Sequence, residues 1–351
     1  MLTKKRSEWR TWEDWKKIAS QQIEARGLTK NLEEIEAQGF TVISPEQMGD
    51  PRLFEQTKEA LLRVGEEITG VRPNEETGEH GFTDCTGTTP TQNFYHGILE
   101  KDPIFEEIIQ HPLTLPLIDY YLGPGCLLSA VSGMVKWQGL EGYGDAIYLN
   151  YGGLHADTNM YPFEPLPDPP MRFNTAWCLS DYTKDNGALA VLPGSHKLRR
   201  HPKPGEGMDQ AIAVEVPAGS VIVFHGALWH GAFPRINPGL RLCVFSAYDA
   251  FYCRTMEHYP NRISEESLAR NGERFRQLLN IDDIYGHEDH QGPIPRRERA
   301  SGKTYSQIMN QIVTHHGKKY RVENDDRIVN WGAMRYIPID DEENEESLAQ
   351  S

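Results

Sequence analysis

His155 and Asp157 stand one residue apart in Leu154-His155-Ala156-Asp157. Run as a strand, that segment turns both side chains to one face, so an imidazole and a carboxylate can reach one ion together. A third ligand has to come from elsewhere in the fold. The best placed is His230, in Phe224-His225-Gly226-Ala227-Leu228-Trp229-His230-Gly231. Two imidazoles and a carboxylate on one face of a metal are the set used for oxygen-activating ferrous iron. Three protein ligands leave three positions open, two for a chelating 2-oxo acid and one for O2. A His-x-Asp pair alone is weak, because a chain with 13 histidines makes such pairs by chance. Its surroundings strengthen it: the apolar run Ser220–Phe224 leads into His225 and His230, and Arg241 opens the next β-rich run. A guanidinium presented there suits bidentate capture of a distal carboxylate. Without the triad, Arg241 would read as a surface ion pair.

The elements that must hold these residues are legible as patterns. Short β-rich runs broken by Gly, Pro, Asn and Asp are predicted at 126–138, 145–151, 171–180, 188–192, 211–216, 220–225 and 240–249. Many short strands with regular turns imply a sandwich or barrel. Before them the chain reads as helical. Trp9, Trp12, Trp15 and Ile18 mark one stripe, Leu32 and Ile35 a second helix ending near Gly39, and 52–68 a third. Residues 40–43 form a strand, 70–95 read as loop, and 103–122 as two short helices. After the β region, Ser264 is placed to cap a helix over 265–279, and 303–316 is predicted to be the last helix. The expected organisation is one catalytic domain: a mainly helical part over 1–125, the β core over 126–250, a helical and loop extension over 251–337, and an acidic disordered tail over 338–351.

Taken together, the residues resemble the phytanoyl-CoA dioxygenase family of Fe(II)/2-oxoglutarate oxygenases. The matching segments are Glu34–Ile43, His155-Ala156-Asp157, Trp177–Asp181, Asn186–Leu189, Pro193–His196, Ala218–Val221, Leu228–Gly231 and Arg241, in the family's order. The resemblance implies a mostly β, double-stranded β-helix (jelly-roll) core with helical additions. It implies His155, Asp157 and His230 as iron ligands, and Arg241, Trp177 and His225 around 2-oxoglutarate. Ala232 departs from a hydroxyl residue the family often has two positions after the distal histidine. Gly187 and Gly194 read as turn formers, and His196 as structural. The implied chemistry takes Fe(II), 2-oxoglutarate and O2 and yields succinate, CO2 and an oxidised substrate. An intact Asp157 favours hydroxylation over halogenation.

Substrate contacts are expected from loops at the mouth of the barrel: Asn93, Tyr95, Thr158, Asn159 and Tyr161, with Tyr248 and Arg254 beyond Arg241. A formal charge of −15 argues against nucleic acid or an anionic membrane as partner. The basic cluster Lys197, Arg199, Arg200, His201 and Lys203 reads as a solvated loop rather than a nucleotide site. A free small molecule, such as a natural-product intermediate, is the expected substrate, and a homo-oligomer is compatible with the Trp stripe. Five scattered cysteines with no CxxC pair fit reduced thiols. With a polar start and no long apolar window, a cytoplasmic protein without signal peptide or membrane span is expected. Two alternatives stay open: the same oxidant diverted to desaturation, ring formation or endoperoxidation, and a cupin-type metalloenzyme that does not use 2-oxoglutarate.

Overall fold

The computed structural model describes residues 11–82, 91–139, 154–158, 161–281, 312–315, 318–324 and 334–338. The chain divides into two compact units, Met1–Tyr259 with Ile263–Ile284, and Pro260–Arg262 with Tyr285–Ser351.

The first unit opens with helices. α1 (Trp12–Glu24) starts at a capping box in which Thr11 and Asp14 satisfy each other's backbone amides, and it buries Trp15, Ala19 and Ile23. Trp9 lies outside the described residues. α2 (Thr29–Gln38) ends at Gly39, whose φ of 90° is the left-handed conformation that terminates helices. A Cβ at Gly39 would also lie 2.6 Å from His196 Nδ1, so the turn needs both glycine's backbone freedom and its missing side chain. β1 (Phe40–Ile43), α3 (Pro45–Met48) and α4 (Pro51–Thr69) follow. α4 buries Leu53, Phe54, Thr57, Ala60, Leu61 and Val64, a helical stripe turned to the core. β2 (Gln92–Tyr95), α5 (Pro103–Ile109) and α6 (Leu115–Leu122) complete the N-terminal part.

The β core is formed by β3 (Leu127–Trp137), β4 (Arg172–Cys178), β5 (Leu189–Val191), β6 (Ile212–Val214), β7 (Val221–His225), β8 (His230–Ala232) and β9 (Leu240–Asp249). The major sheet runs β1-β7-β4-β9-β3-β2 and the minor sheet β6-β5-β8, with every pairing antiparallel. Alternation decides what each residue meets. Val221, Val223, Phe173, Trp177, Leu242 and Val244 point into the core shared with the helices. Ile222, Phe224, Ala176, Cys178 and Cys243 point toward the minor sheet, into a cluster with Leu189, Val191 and Val214. This is the jelly-roll expected from the sequence, with helices packed on one face of its larger sheet. α4 lies close on that face: a Cβ at Gly133 of β3 would overlap Leu61 at 2.0 Å.

Three local readings differ from expectation. Residues 92–95 are a strand, not loop, because β3 offers an antiparallel partner that turn-rich composition does not reveal. The helix expected over 265–279 is two, α7 (Glu265–Arg270) and α8 (Glu273–Leu278), interrupted at Asn271 and Gly272. Residues 312–315 of the expected final helix are extended. They form β10 (Ile312–His315), which pairs with β11 (Lys318–Asn324), and β11 pairs with β12 (Met334–Pro338) in the second unit. The predicted strand at 145–151, the loop beyond Ile281 and the acidic run after Pro338 lie outside the described residues. No described helix is long and apolar enough to cross a membrane.

Candidate active site

His155 and His230 face each other as an antiparallel backbone bridge. The His155 amide donates to the His230 carbonyl at 2.9 Å, and the His230 amide returns the bond at 2.8 Å. Two residues on, the Asp157 amide donates to the Gly226 carbonyl at 2.8 Å, pinning the short segment against the β7–β8 turn. Asp157 Oδ1 lies 3.2 Å from His155 Nε2, and its Oδ2 lies 3.4 Å from His230 Nε2. One nitrogen or oxygen from each residue lies within 4.8 Å of the others, a spacing fit for one metal ion. His230 Nδ1 bonds the Leu228 carbonyl at 2.9 Å, which places its proton there and leaves the Nε2 lone pair toward the centre. Against the burial of its ring, His230 has its pKa raised by Asp157, a pull that a bound cation would satisfy in the proton's place. Burial opposes charge on Asp157, but His230 and His155 outweigh it and hold its carboxyl well below the usual range. Burial and the neighbouring His230 depress the pKa of His155, leaving its ring a neutral donor.

Neighbours in the major sheet orient the carboxylate. Asn174 on β4 donates to Asp157 Oδ2 at 3.0 Å. Arg172, two residues earlier on the same face, reaches the Asp157 carbonyl at 3.3 Å. Its guanidinium is gripped by Asp249 at 2.7 and 2.8 Å and by Ser129 at 3.1 Å. Sequence reasoning missed Arg172 and Asn174. They carry no motif of their own, and only the parity of β4 could have pointed to them.

The triad opens into a cavity of about 290 Å³ between the two sheets. Arg241 lines this cavity together with His155, Asp157 and His230. It is only 2% exposed, donates to the Gly187 carbonyl and lies over the Tyr182 ring at 4.5 Å. Among the described residues no carboxylate pairs with Arg241. Lys136 sits directly across from it in the β3–β9 register, fully buried, with its amine 3.4 Å from Gln92 Oε1. Burial, then Arg241 and Arg235, push the Lys136 pKa well below that of a free lysine. Lys136 is thereby turned toward its neutral form, and Arg241 is left as the uncompensated buried cation poised to take an anion. The donor set at one point and the guanidinium at another fit iron and a dicarboxylate respectively.

A sequence profile described as phytanoyl-CoA dioxygenase matches residues 35–243. The chain belongs to the phytanoyl-CoA dioxygenase family. It is a non-haem iron dioxygenase that uses 2-oxoglutarate as cosubstrate. Among similar proteins is dioxygenase af480 of Aspergillus fumigatus, 25% identical over 231 residues, covering 65% of this chain and 71% of the relative. The iron/alpha-ketoglutarate-dependent dioxygenase ausU of Aspergillus calidoustus is 37% identical over 81 residues, 22% of this chain and 27% of the relative. The solved structure of HygX from Streptomyces hygroscopicus, with nickel and 2-oxoglutarate bound, aligns with a TM-score of 0.48 at 17% identity, covering 65% of this chain and 88% of that one.

Several residues that the family resemblance or loop position suggested do not line this cavity. Trp177 is fully buried in the helix-facing core, with Phe54 at 5.5 Å and His111 at 5.4 Å. Its odd number on β4 places it opposite Asn174 and Ala176. His225 lies in a separate cavity with Tyr121 and His196, and its Nδ1 accepts the Ala227 amide at 3.0 Å. Tyr248 is buried toward the helices and donates to the Ile109 carbonyl at 2.8 Å. On β9 it has the parity opposite to Arg241, Cys243, Phe245 and Ala247, which do line the cavity. β2 repeats the lesson: Gln92, Phe94 and His96 face the cavity, whereas Asn93 and Tyr95 turn away. Arg254 is exposed, and the cavity contact from its segment is Met256. Thr158 is buried beside the triad and Tyr161 half-buried, but neither is a lining side chain. Asn159 lies outside the described residues.

Proposed function

We propose that His155, Asp157 and His230 bind the iron of this dioxygenase, that Arg241 anchors the distal carboxylate of 2-oxoglutarate, and that the reaction hydroxylates an unactivated C–H bond of a small natural-product intermediate. The observation that carries this reading is the sharing of one cavity by a three-donor cluster and a buried arginine without a carboxylate partner. Bound there, ferrous iron would activate O2 with two electrons from 2-oxoglutarate, one oxygen atom leaving in succinate beside CO2 and the other entering the substrate. The chain's own part is placement. His230 is held in one tautomer by Leu228 and Asp157 in one orientation by Asn174, while the His155–His230 bridge and the Asp157 amide on Gly226 fix the main chain. The sheets on either side exclude water from the reacting C–H and fix its distance. A small organic substrate fits the size and largely apolar lining of the remaining space.

The test is cosubstrate binding followed by turnover. Protein loaded with Mn(II) is titrated with 2-oxoglutarate, and the Fe(II) form is assayed for succinate with a panel of metabolites. Arg241→Met is expected to weaken 2-oxoglutarate binding at least about tenfold, roughly one lost charge-assisted contact. Arg241→Lys should fall between, because an ammonium cannot make the paired contacts of a guanidinium. Unchanged affinity in both variants would refute the anchoring role. Metal-dependent activity without succinate would favour a cupin-type reaction instead.

A further inference from the structure

Away from the triad and Arg241, much of the cavity wall is carbon and sulfur, from Phe94, Met134, Phe245 and Met256. Set into that wall is a polar pair. His96 Nδ1 and Ser132 Oγ are hydrogen-bonded at 3.0 Å, and both residues line the cavity. The sheet dictates their meeting: β2 pairs with β3 as Phe94↔Met134 and Tyr95↔Gly133, and one further step sets His96 beside Ser132. Phe94 stacks nearly parallel to the imidazole, at 5.7 Å and 12°, which fixes the plane of the ring. The bond to Ser132 occupies Nδ1, and among the described residues nothing bonds Nε2. Burial lowers the pKa of His96, so the ring is neutral at pH 7. A neutral imidazole offers either an N–H or a lone pair at Nε2, depending on which way the Ser132 hydroxyl turns. Of the two lining arginines, Arg241 belongs to the cosubstrate end, and Arg172 is already held by Asp249 and Ser129.

We propose that His96 and Ser132 are the substrate-orienting pair of this enzyme, reading one neutral oxygen, a hydroxyl or a carbonyl, on an otherwise apolar ligand. This rests on the reading that the cavity is the active site. An apolar body slides against the aromatic and thioether wall, and the single polar contact selects which carbon of that body faces the metal triad. A carboxylate at the same place would give up hydration without gaining a cation. These are specificity-determining residues, and their loss changes which ligand binds and which carbon is presented.

Four probes of one shape separate the possibilities: bornane, which has no oxygen, borneol, camphor, and ketopinate, which adds a carboxylate. Each is titrated into the full chain loaded with Mn(II) and 2-oxoglutarate. Borneol and camphor are expected to bind at least about tenfold more tightly than bornane, and ketopinate more weakly than camphor. His96→Phe should erase the preference of borneol over bornane. His96→Gln, which places an amide near the Nε2 position, should keep part of it, and Ser132→Ala should weaken it by freeing the ring. The proposal is overturned if bornane binds wild type as well as borneol, if ketopinate binds best, if none of the neutral probes binds, or if the preference survives in His96→Phe. Failure of 2-oxoglutarate itself to bind the Mn(II) protein would instead overturn the active-site reading, which that first titration measures separately.

Discussion

Asp157 is the most constrained side chain of the site. One oxygen faces His155, the other faces His230 and accepts from Asn174, and its backbone is held by Gly226 and Arg172. A carboxylate fixed this way presents its lone pairs to a metal without first losing rotamer freedom. Asn174→Ala removes one of those restraints while leaving the three ligands in place. By the usual weight of such outer contacts, metal affinity should fall about 10- to 100-fold. Titration of the apoprotein with Mn(II), followed by calorimetry, measures this, and an unchanged affinity would show that Asn174 only fills space. Asp157→Gly goes further: it removes the ligand and should abolish both succinate formation and oxidised product, and retained turnover would contradict the assignment.

Elements decide which residues can take part, and they do so through strand parity. Trp177 illustrates it. As a tryptophan in a family segment it draws attention, yet its place on β4 commits it to the helix-facing core. Trp177→Ala should therefore cost about 3–5 kcal/mol of stability while leaving 2-oxoglutarate affinity of the folded fraction unaltered. Denaturant unfolding beside ligand titration distinguishes this from a role in the pocket, where affinity would fall first. The same rule explains what was legible in the sequence. The strands of the β core, the i and i+2 relation of His155 and Asp157, and the position of Arg241 all follow from local pattern. Once Arg241 is placed in the cavity, Cys243, Phe245 and Ala247 follow, and Tyr248 is excluded. At β9 and β2, loop position and residue type single out Tyr248, Asn93 and Tyr95, whereas parity puts Phe245, Phe94 and, one residue past β2, His96 in the cavity. β2 itself was hidden, because its Gly-, Thr- and Pro-rich surroundings signal turns and only the distant β3 supplies its partner. Asn174 and Arg172 had no signal of their own, since an orienting role exists only relative to a neighbour brought in by the fold.

Across the molecule, buried histidines set how the protein meets acid. Burial lowers the pKa of His225 to about 3, and burial with nearby Lys197 lowers that of His196 to about 4. In the unfolded chain both titrate near the ordinary 6.5. Between that value and the depressed ones, the unfolded state binds more protons than the native state, so stability rises with pH. The stabilisation is complete above about pH 6.5 and drains away as pH falls toward 4 and then 3. His225→Asn keeps an acceptor for the Ala227 amide but removes the titrating ring, and should flatten the loss between pH 6.5 and 4. Thermal melts across that range test it, and an equally steep wild-type and variant profile would assign the acid sensitivity elsewhere. One last consequence follows from the His155–His230 backbone bridge. A metal held by both imidazoles would add a rivet across two strands already stitched by their amides. Loading the protein should then slow deuterium uptake at those two amides far more than at the helices, and a chelator should release it.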